Sequence, residues 1–273
     1  MPSARLEPAG ADGLVVLLRI EENAIAYAFD EDAEELLAAQ LPPLPSGELL
    51  RLGTLPADGE NSTGGRVWHS APILCEWLAD HRQSAVVGHR VLDLGSGTGA
   101  CGLYAAGLGA KSVVLSDGSE SLLELLQCNA RANEARIGSS EVSVCHLQFG
   151  CDAHALPAGP IHLVLGSDII YDAASHAALC RTLSALMLRD RPRVILATMP
   201  RSRTRLADDC SLGPACFSEA ALEAFGAEAA AHGLRVLRPH DRSRGGPAFA
   251  WTAEEFRDAM PFLIEVVAAG PGE

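Results

Sequence analysis

The stretch Val91-Leu92-Asp93-Leu94-Gly95-Ser96-Gly97-Thr98-Gly99-Ala100-Cys101-Gly102 constrains this chain more than any other. An apolar run follows the break at Gly88-His89, three glycines alternate with small residues, and Leu103-Tyr104-Ala105-Ala106 resumes at helical spacing. The pattern reads as strand, glycine loop and helix, the arrangement of a nucleotide cradle. Glycine is needed because the chain turns sharply out of the strand and because a ligand lies against bare backbone, where a Cβ would collide with it.

Gly97-x-Gly99-x-x-Gly102 matches the spacing that seats a dinucleotide pyrophosphate at a helix N-terminus. Asp93 argues against that ligand. A carboxylate two residues before the first glycine repels a pyrophosphate and attracts an ammonium or sulfonium charge. S-adenosylmethionine carries both. Downstream, Ser112-Val113-Val114-Leu115-Ser116 reads as a second strand ending at Asp117, where a carboxylate can accept hydrogen bonds from both ribose hydroxyls. That spacing serves either nucleotide, so the choice rests on Asp93.

Around this centre strands are expected near 90–94, 112–116, 142–147, 161–167 and 193–199, with helices near 101–109, 119–133, 174–188 and 218–232. Leu234–Leu237 and Phe262–Val267 supply two more strands, separated by an insertion with Trp251 and a short helical stretch near Glu254–Ala259. The alternation predicts an α/β fold with a doubly wound, mostly parallel, Rossmann-like seven-stranded sheet and helices on both faces. At the N-terminus, 14–20 and 24–29 read as the strands of a hairpin, followed by an acidic helix over Asp30 to Gln40 that Pro42-Pro43 stops. The glycine- and proline-rich stretch from Gly53 to Gly65 marks a boundary between an extension, residues 1–62, and a main domain, residues 63–273. After Pro72, suited to a first helical turn, apolar residues at helical spacing place Trp77 in the core. Trp68 precedes that helix, where position alone favours packing over capping a site.

Ligands of doubly wound sheets lie beyond the carboxyl ends of the strands. The candidates there are the glycine loop, Asp117, Gln148-Phe149-Gly150 and Gly166-Ser167-Asp168-Ile169-Ile170-Tyr171. Asp168 could cap the following helix, for which Asp172 is better placed, and its position at the strand end favours function.

The formal net charge of -14 disfavours nonspecific nucleic-acid or anionic-membrane binding and suits basic partners, although solubility alone accounts for it equally. The eight cysteines lack any Cys-x-x-Cys pair and read as reduced, mostly core thiols rather than a zinc site or a disulfide framework. Neither an apolar signal core at Met1–Pro8 nor a run of roughly 18 apolar residues is present, so an intracellular protein is expected and Asn61-Ser62-Thr63 would go unglycosylated.

Four motifs in order, Val67-Trp68-x-Ser70-Ala71, Asp93 to Gly99, Leu115-Ser116-Asp117 and Leu165 to Tyr171, resemble the seven-strand methyltransferases of family 16, over about Gly64 to Met199. That family includes protein-lysine methyltransferases of the cytosol and nucleus. The resemblance implies S-adenosyl-L-methionine as cofactor, with Gly95, Ser96 and Gly97 along its methionine moiety. It implies Asp117 on the ribose, Trp68 and Ser167 flanking, and Asp168 and Tyr171 facing the acceptor nitrogen. Phe149 departs from the tryptophan usual there, so stacking near the adenine survives while an indole hydrogen bond does not. Residues 1–62 become a candidate substrate-recognition hairpin. The implied partner is a protein carrying the acceptor lysine, with no nucleic acid or membrane, and a monomer is compatible with it. Methylation of histidine or a small molecule, and a noncatalytic cofactor-binding module, remain the alternatives; a dinucleotide-dependent oxidoreductase is disfavoured by Asp93. Arg242-Ser243-Arg244-Gly245-Gly246 matches no motif and reads as a solvated loop.

Overall fold

The computed structural model describes residues 41–55, 63–68, 70–151, 157–198, 220–237 and 262–270, and the backbone of four short strands at 7–9, 13–18, 25–26 and 38–39. The central element is β6 (Arg90–Leu94), whose last four residues, Asp93 included, are all buried, as in a strand covered on both faces. Its parallel neighbours are β7 (Ser112–Asp117) and β9 (Leu163–Ser167), and β8 (Glu141–His146) and β10 (Arg193–Thr198) extend the sheet outward. Beyond β10, β12 (Phe262–Ala268) runs antiparallel between β10 and β11 (Leu234–Leu237), giving a seven-stranded sheet in the order β11-β12-β10-β9-β6-β7-β8.

Helices cover both faces, as the alternation predicts. α1 (Ser70–Asp80), α2 (Ala100–Gly107) and α3 (Glu120–Ile137) pack Leu74, Leu78, Leu103, Tyr104 and Leu126 on one side. α4 (His176–Arg189) and α5 (Ala220–Ala231) pack Leu179, Leu183, Leu186 and Phe225 on the other. Trp77 lies in the first core. α3 runs four residues past its expected end because Asn129 and Asn133 are buried on the same stripe as Leu122, Leu126 and Ile137. Two amides interrupt the apolar period in the sequence but not on the helix face.

The N-terminal pairing differs from the expected hairpin. β2 (Gly13–Leu18) pairs antiparallel with β1 (Glu7–Ala9) on one edge and with β5 (Leu52–Thr54) on the other, while β3 (Ile25–Ala26) pairs with β4 (Ala38–Ala39). A hairpin is present, but its strands are 7–9 and 13–18. The expected helix over 30–40 gives way to strand at Ala38–Ala39, and residues 30–37 lie outside the described residues. Leu41, Leu44, Leu50 and Leu52 join the same core as the buried faces of α1, α2 and α3. The helical stretch at 254–259, Trp251 and the arginines near 242–244 also lie outside the described residues.

Candidate active site

Ten residues picked from the sequence, Trp68, Asp93, Gly95, Ser96, Gly97, Asp117, Phe149, Ser167, Asp168 and Tyr171, line one cavity of about 420 Å³ at the carboxyl ends of β6, β7, β8 and β9. The size is that of a small-molecule pocket. Gly95, Gly97 and Gly99 hold φ of 60°, 55° and 81°, a left-handed run that carries the chain from β6 into α2. At Gly95 a Cβ would stand 2.8 Å from Ile169 Cγ2 and 3.4 Å from Phe149 Cζ, so two cavity walls close on this glycine.

Asp93 is only 2% exposed, and its Oδ2 accepts a hydrogen bond from Gly102 N at 2.9 Å. Gly102 is the third residue of α2, so the chain's own carboxylate satisfies an N-terminal amide of the helix where a pyrophosphate would otherwise sit. The sequence argument against a dinucleotide therefore stands, but for a different reason: the anion site is already filled. Burial raises the Asp93 carboxyl to about 7, opposed by the hydrogen bond from Gly102 N. The folded chain thus keeps a proton that the unfolded chain, with a carboxyl near about 3.9, has lost. Stability from this group is complete below about pH 4 and is lost as pH rises through 7. Asn at this position keeps the acceptor for Gly102 N and removes the titration. The melting temperature of Asp93→Asn, relative to the parent, should climb between about pH 4 and 7 and then level off, with a gain of about 5 °C or more. A pH-independent difference would mean that Asp93 is ionised in the fold throughout.

Ser96 faces the cavity, yet its hydroxyl is committed: it donates to Asp93 O at 2.8 Å and accepts from Ser116 N at 2.9 Å, stitching β6 to β7. Its backbone is committed as well: Ser96 N donates to Ser116 O at 2.8 Å, and Ser96 O accepts from Gly99 N at 2.7 Å. Asp117 ends β7 as expected, accepting from Gly97 N at 3.1 Å through Oδ2 and from Ser119 N at 3.1 Å through Oδ1. Burial raises its carboxyl, although those amides and His146 pull the other way.

Trp68 is among the residues that line the cavity. It is half-buried at the cavity wall, and its Nε1 donates to Thr63 O at 2.7 Å, folding the arm 63–68 back over the glycine loop. Asp168 is 5% exposed and sits at φ 55°, one of two non-glycine residues with positive φ among those described. Its N donates to Ala197 O at 2.8 Å, which fixes the turn out of β9. Such left-handed carboxylates concentrate at functional turns. Tyr171, 50% exposed, stands at the mouth, and Asp172 caps the next turn by accepting from Ala174 N at 3.1 Å, as the sequence suggests.

Several wall residues escape the sequence reading. Arg66 is the one basic side chain among the described lining residues, and a lone arginine beside Trp68 carries no periodic signal. Thr182, buried on α4, accepts from Gly150 N at 2.8 Å, and Gly150, at φ 83°, packs against Ala178 and Arg181. This clamp sets the direction of Phe149. Thr182→Val removes the acceptor of the part-buried Gly150 amide, a loss of about 1 kcal/mol, and frees the turn behind Phe149, so ligand affinity at the cavity should fall several-fold, with rescue by Thr182→Ser. Calorimetry on both variants checks it, and equal affinities would free Phe149 from this clamp.

The profile of methyltransferase family 16, the lysine methyltransferases, matches residues 52–208. The chain belongs to this family. Among curated relatives, the protein N-lysine methyltransferase METTL21A of Danio rerio is 37% identical over 124 residues, 45% of this chain and 56% of that protein. EEF1A lysine methyltransferase 3 of Mus musculus is 37% identical over 121 residues, 44% of this chain and 50% of that protein. The histone-arginine methyltransferase METTL23 of Xenopus laevis is 33% identical over 128 residues, 46% of this chain and 53% of that protein. The chain thus spans about half the length of the curated relatives it matches. Family 16 membership accounts for the order of the four motifs. The matched segment starts at Leu52, the first residue of β5.

Proposed function

We propose that this family 16 chain transfers a methyl group from S-adenosyl-L-methionine to a lysine side chain on another protein, in the cytosol or nucleus. The observation that carries the reading is the convergence of the glycine loop and Asp117 with Asp168 and Tyr171 on one cavity. The wall residues suit the cofactor. Gly95 and Gly97 present bare backbone, Asp117 faces the ribose, and Phe149 and Trp68 offer flat apolar surface. Arg66 complements the cofactor's carboxylate. Ser167 Oγ is buried without a hydrogen bond of standard geometry, the nearby Cys101 thiol being a weak partner, and so has capacity for a ligand.

When bound, S-adenosylmethionine supplies an electrophilic methyl on a sulfonium, which a neutral amine takes in one in-line displacement. The protein's part is alignment, exclusion of water and handling of the proton. Asp168 orients the acceptor nitrogen and receives its proton, while Tyr171 narrows the entrance. Trp68 and the arm 63–68 shield the cavity. Residues 1–62 contribute to recognition of the protein target, and the acidic surface steers a basic one.

The test is incubation with labelled S-adenosylmethionine and cell extract, followed by mass spectrometry. Methyl-lysine is expected, with activity rising with pH toward the lysine value of about 10.4 and falling with salt. Label found only on arginine, histidine, nucleic acid or a metabolite overturns the lysine assignment and leaves the transferase. Failure to bind the cofactor overturns both.

A further inference from the structure

Asn129 lies fully buried on α3, between the glycine loop and β5. Its amide oxygen accepts from Gly53 N at 2.7 Å, and its amide nitrogen donates to Gly53 O at 3.1 Å and to Thr98 O at 2.8 Å. One turn on, Asn133 repeats the pattern, accepting from Arg51 N at 2.8 Å and donating to Arg51 O at 2.6 Å. The match is geometric: four helical residues rise about 6.0 Å and two strand residues about 6.7 Å. The helix therefore serves β5 as a neighbouring strand would. Alternation leaves the peptide groups of Leu52 and Thr54 for the opposite edge, where they face Leu18 and Val16 of β2.

Thr98 lies inside the glycine loop and lines the cavity. One planar amide thus fixes a loop carbonyl and a strand peptide at once, with both donors and the acceptor in use. A second connection runs the same way: Leu55 N donates to Gly65 O at 3.0 Å, tying the end of β5 to the arm 63–68. Gly64 of that arm packs on Gly97 so closely that a Cβ there would stand 2.5 Å from Gly64 O.

We propose that Asn129 is a positioning residue coupling the glycine loop to the N-terminal strand layer, so that filling the cavity and pairing β5 with β2 stabilise one another. The proposal rests on the reading of the cavity as an adenosylmethionine site. Coupling of this kind is reciprocal: what tightens one site must tighten the other by the same factor.

Hydrogen exchange on the full chain, with and without S-adenosylhomocysteine, tests it. Saturating ligand should slow exchange across 49–54 about tenfold, although apart from Thr98 itself the bonded partners of Asn129 and Asn133 lie outside the cavity wall. By calorimetry, Val16→Pro should weaken binding about fivefold in the parent and by less than about twofold in Asn129→Ala, where only the connection from Leu55 N to Gly65 O remains. Asn129→Asp, which keeps the acceptor for Gly53 N but not the donors, should behave like Asn129→Ala. Protection confined to the cavity wall, or additive losses in the double variant, overturns the coupling. If Asn129→Ala does not fold, exchange in the parent alone decides. No binding of S-adenosylhomocysteine at all overturns the cofactor reading, and this proposal with it; binding without protection at 49–54 overturns the coupling alone.

Discussion

Asp168→Asn should lower the rate of methyl transfer by about 100-fold or more while leaving affinity for S-adenosylhomocysteine within about twofold. Asparagine is the informative replacement because Asp168 holds φ 55°, a region that asparagine tolerates and alanine does not. The bond from Asp168 N to Ala197 O at 2.8 Å is untouched, so the turn survives and only the charge is lost. Asp168→Ala would mix backbone strain into the result. Asp117→Ala is the reverse control, since it removes the acceptors for Gly97 N and Ser119 N and any bond to the ribose. Its binding should weaken by about 1.5–3 kcal/mol, tenfold or more, because the lost bonds involve a charged group. Rate and affinity measured on both variants separate the roles. Full turnover in Asp168→Asn, or parallel unfolding of both, would reduce Asp168 to a turn former.

The sheet was legible because parallel strands buried on both faces write long apolar runs, and β6, β7, β9 and β10 all do so. The site was legible because such sheets collect ligands at their carboxyl ends, so Asp117, Phe149 and Asp168 were found by place rather than by type. What escaped was carried by contacts between distant segments. β2 pairs with β5 across an intervening stretch of more than thirty residues, and no local turn signal announces that choice. Asn129, Asn133 and Thr182 are polar side chains on α3 and α4 that carry no sequence signal of burial, yet each is buried and bonded to another segment's backbone. Buried polar side chains of this sort violate the apolar period that reveals a helix face, and here they are the groups that tie the scaffold to the site.

Gly97→Arg should abolish cofactor binding, and the structure changes the expected reason. The sequence suggests that a side chain there fills the cradle. In the fold, a Cβ on Gly97 points at the arm 63–68, 2.5 Å from Gly64 O and 3.4 Å from Gly64 C, with φ at 55°. Backbone cannot swing aside as a flexible side chain does, so the arm that carries Thr63 and Trp68 must move. Left-handed strain of about 1–3 kcal/mol adds to an overpacking cost of about 1–3 kcal/mol. The smallest substitution is therefore nearly as harmful as the largest: Gly97→Ala should weaken S-adenosylhomocysteine binding about 100-fold or more, and Gly97→Arg should leave none to measure. Calorimetry on the two variants, with circular dichroism to confirm that each remains folded and the fluorescence of Trp68 to report on the arm, distinguishes the explanations. If the cradle were simply filled, both variants would fail with the arm in place and the fluorescence of Trp68 unchanged. If the arm is displaced, both fail, and the indole fluorescence of Trp68 shifts in Gly97→Ala as its bond to Thr63 O is lost.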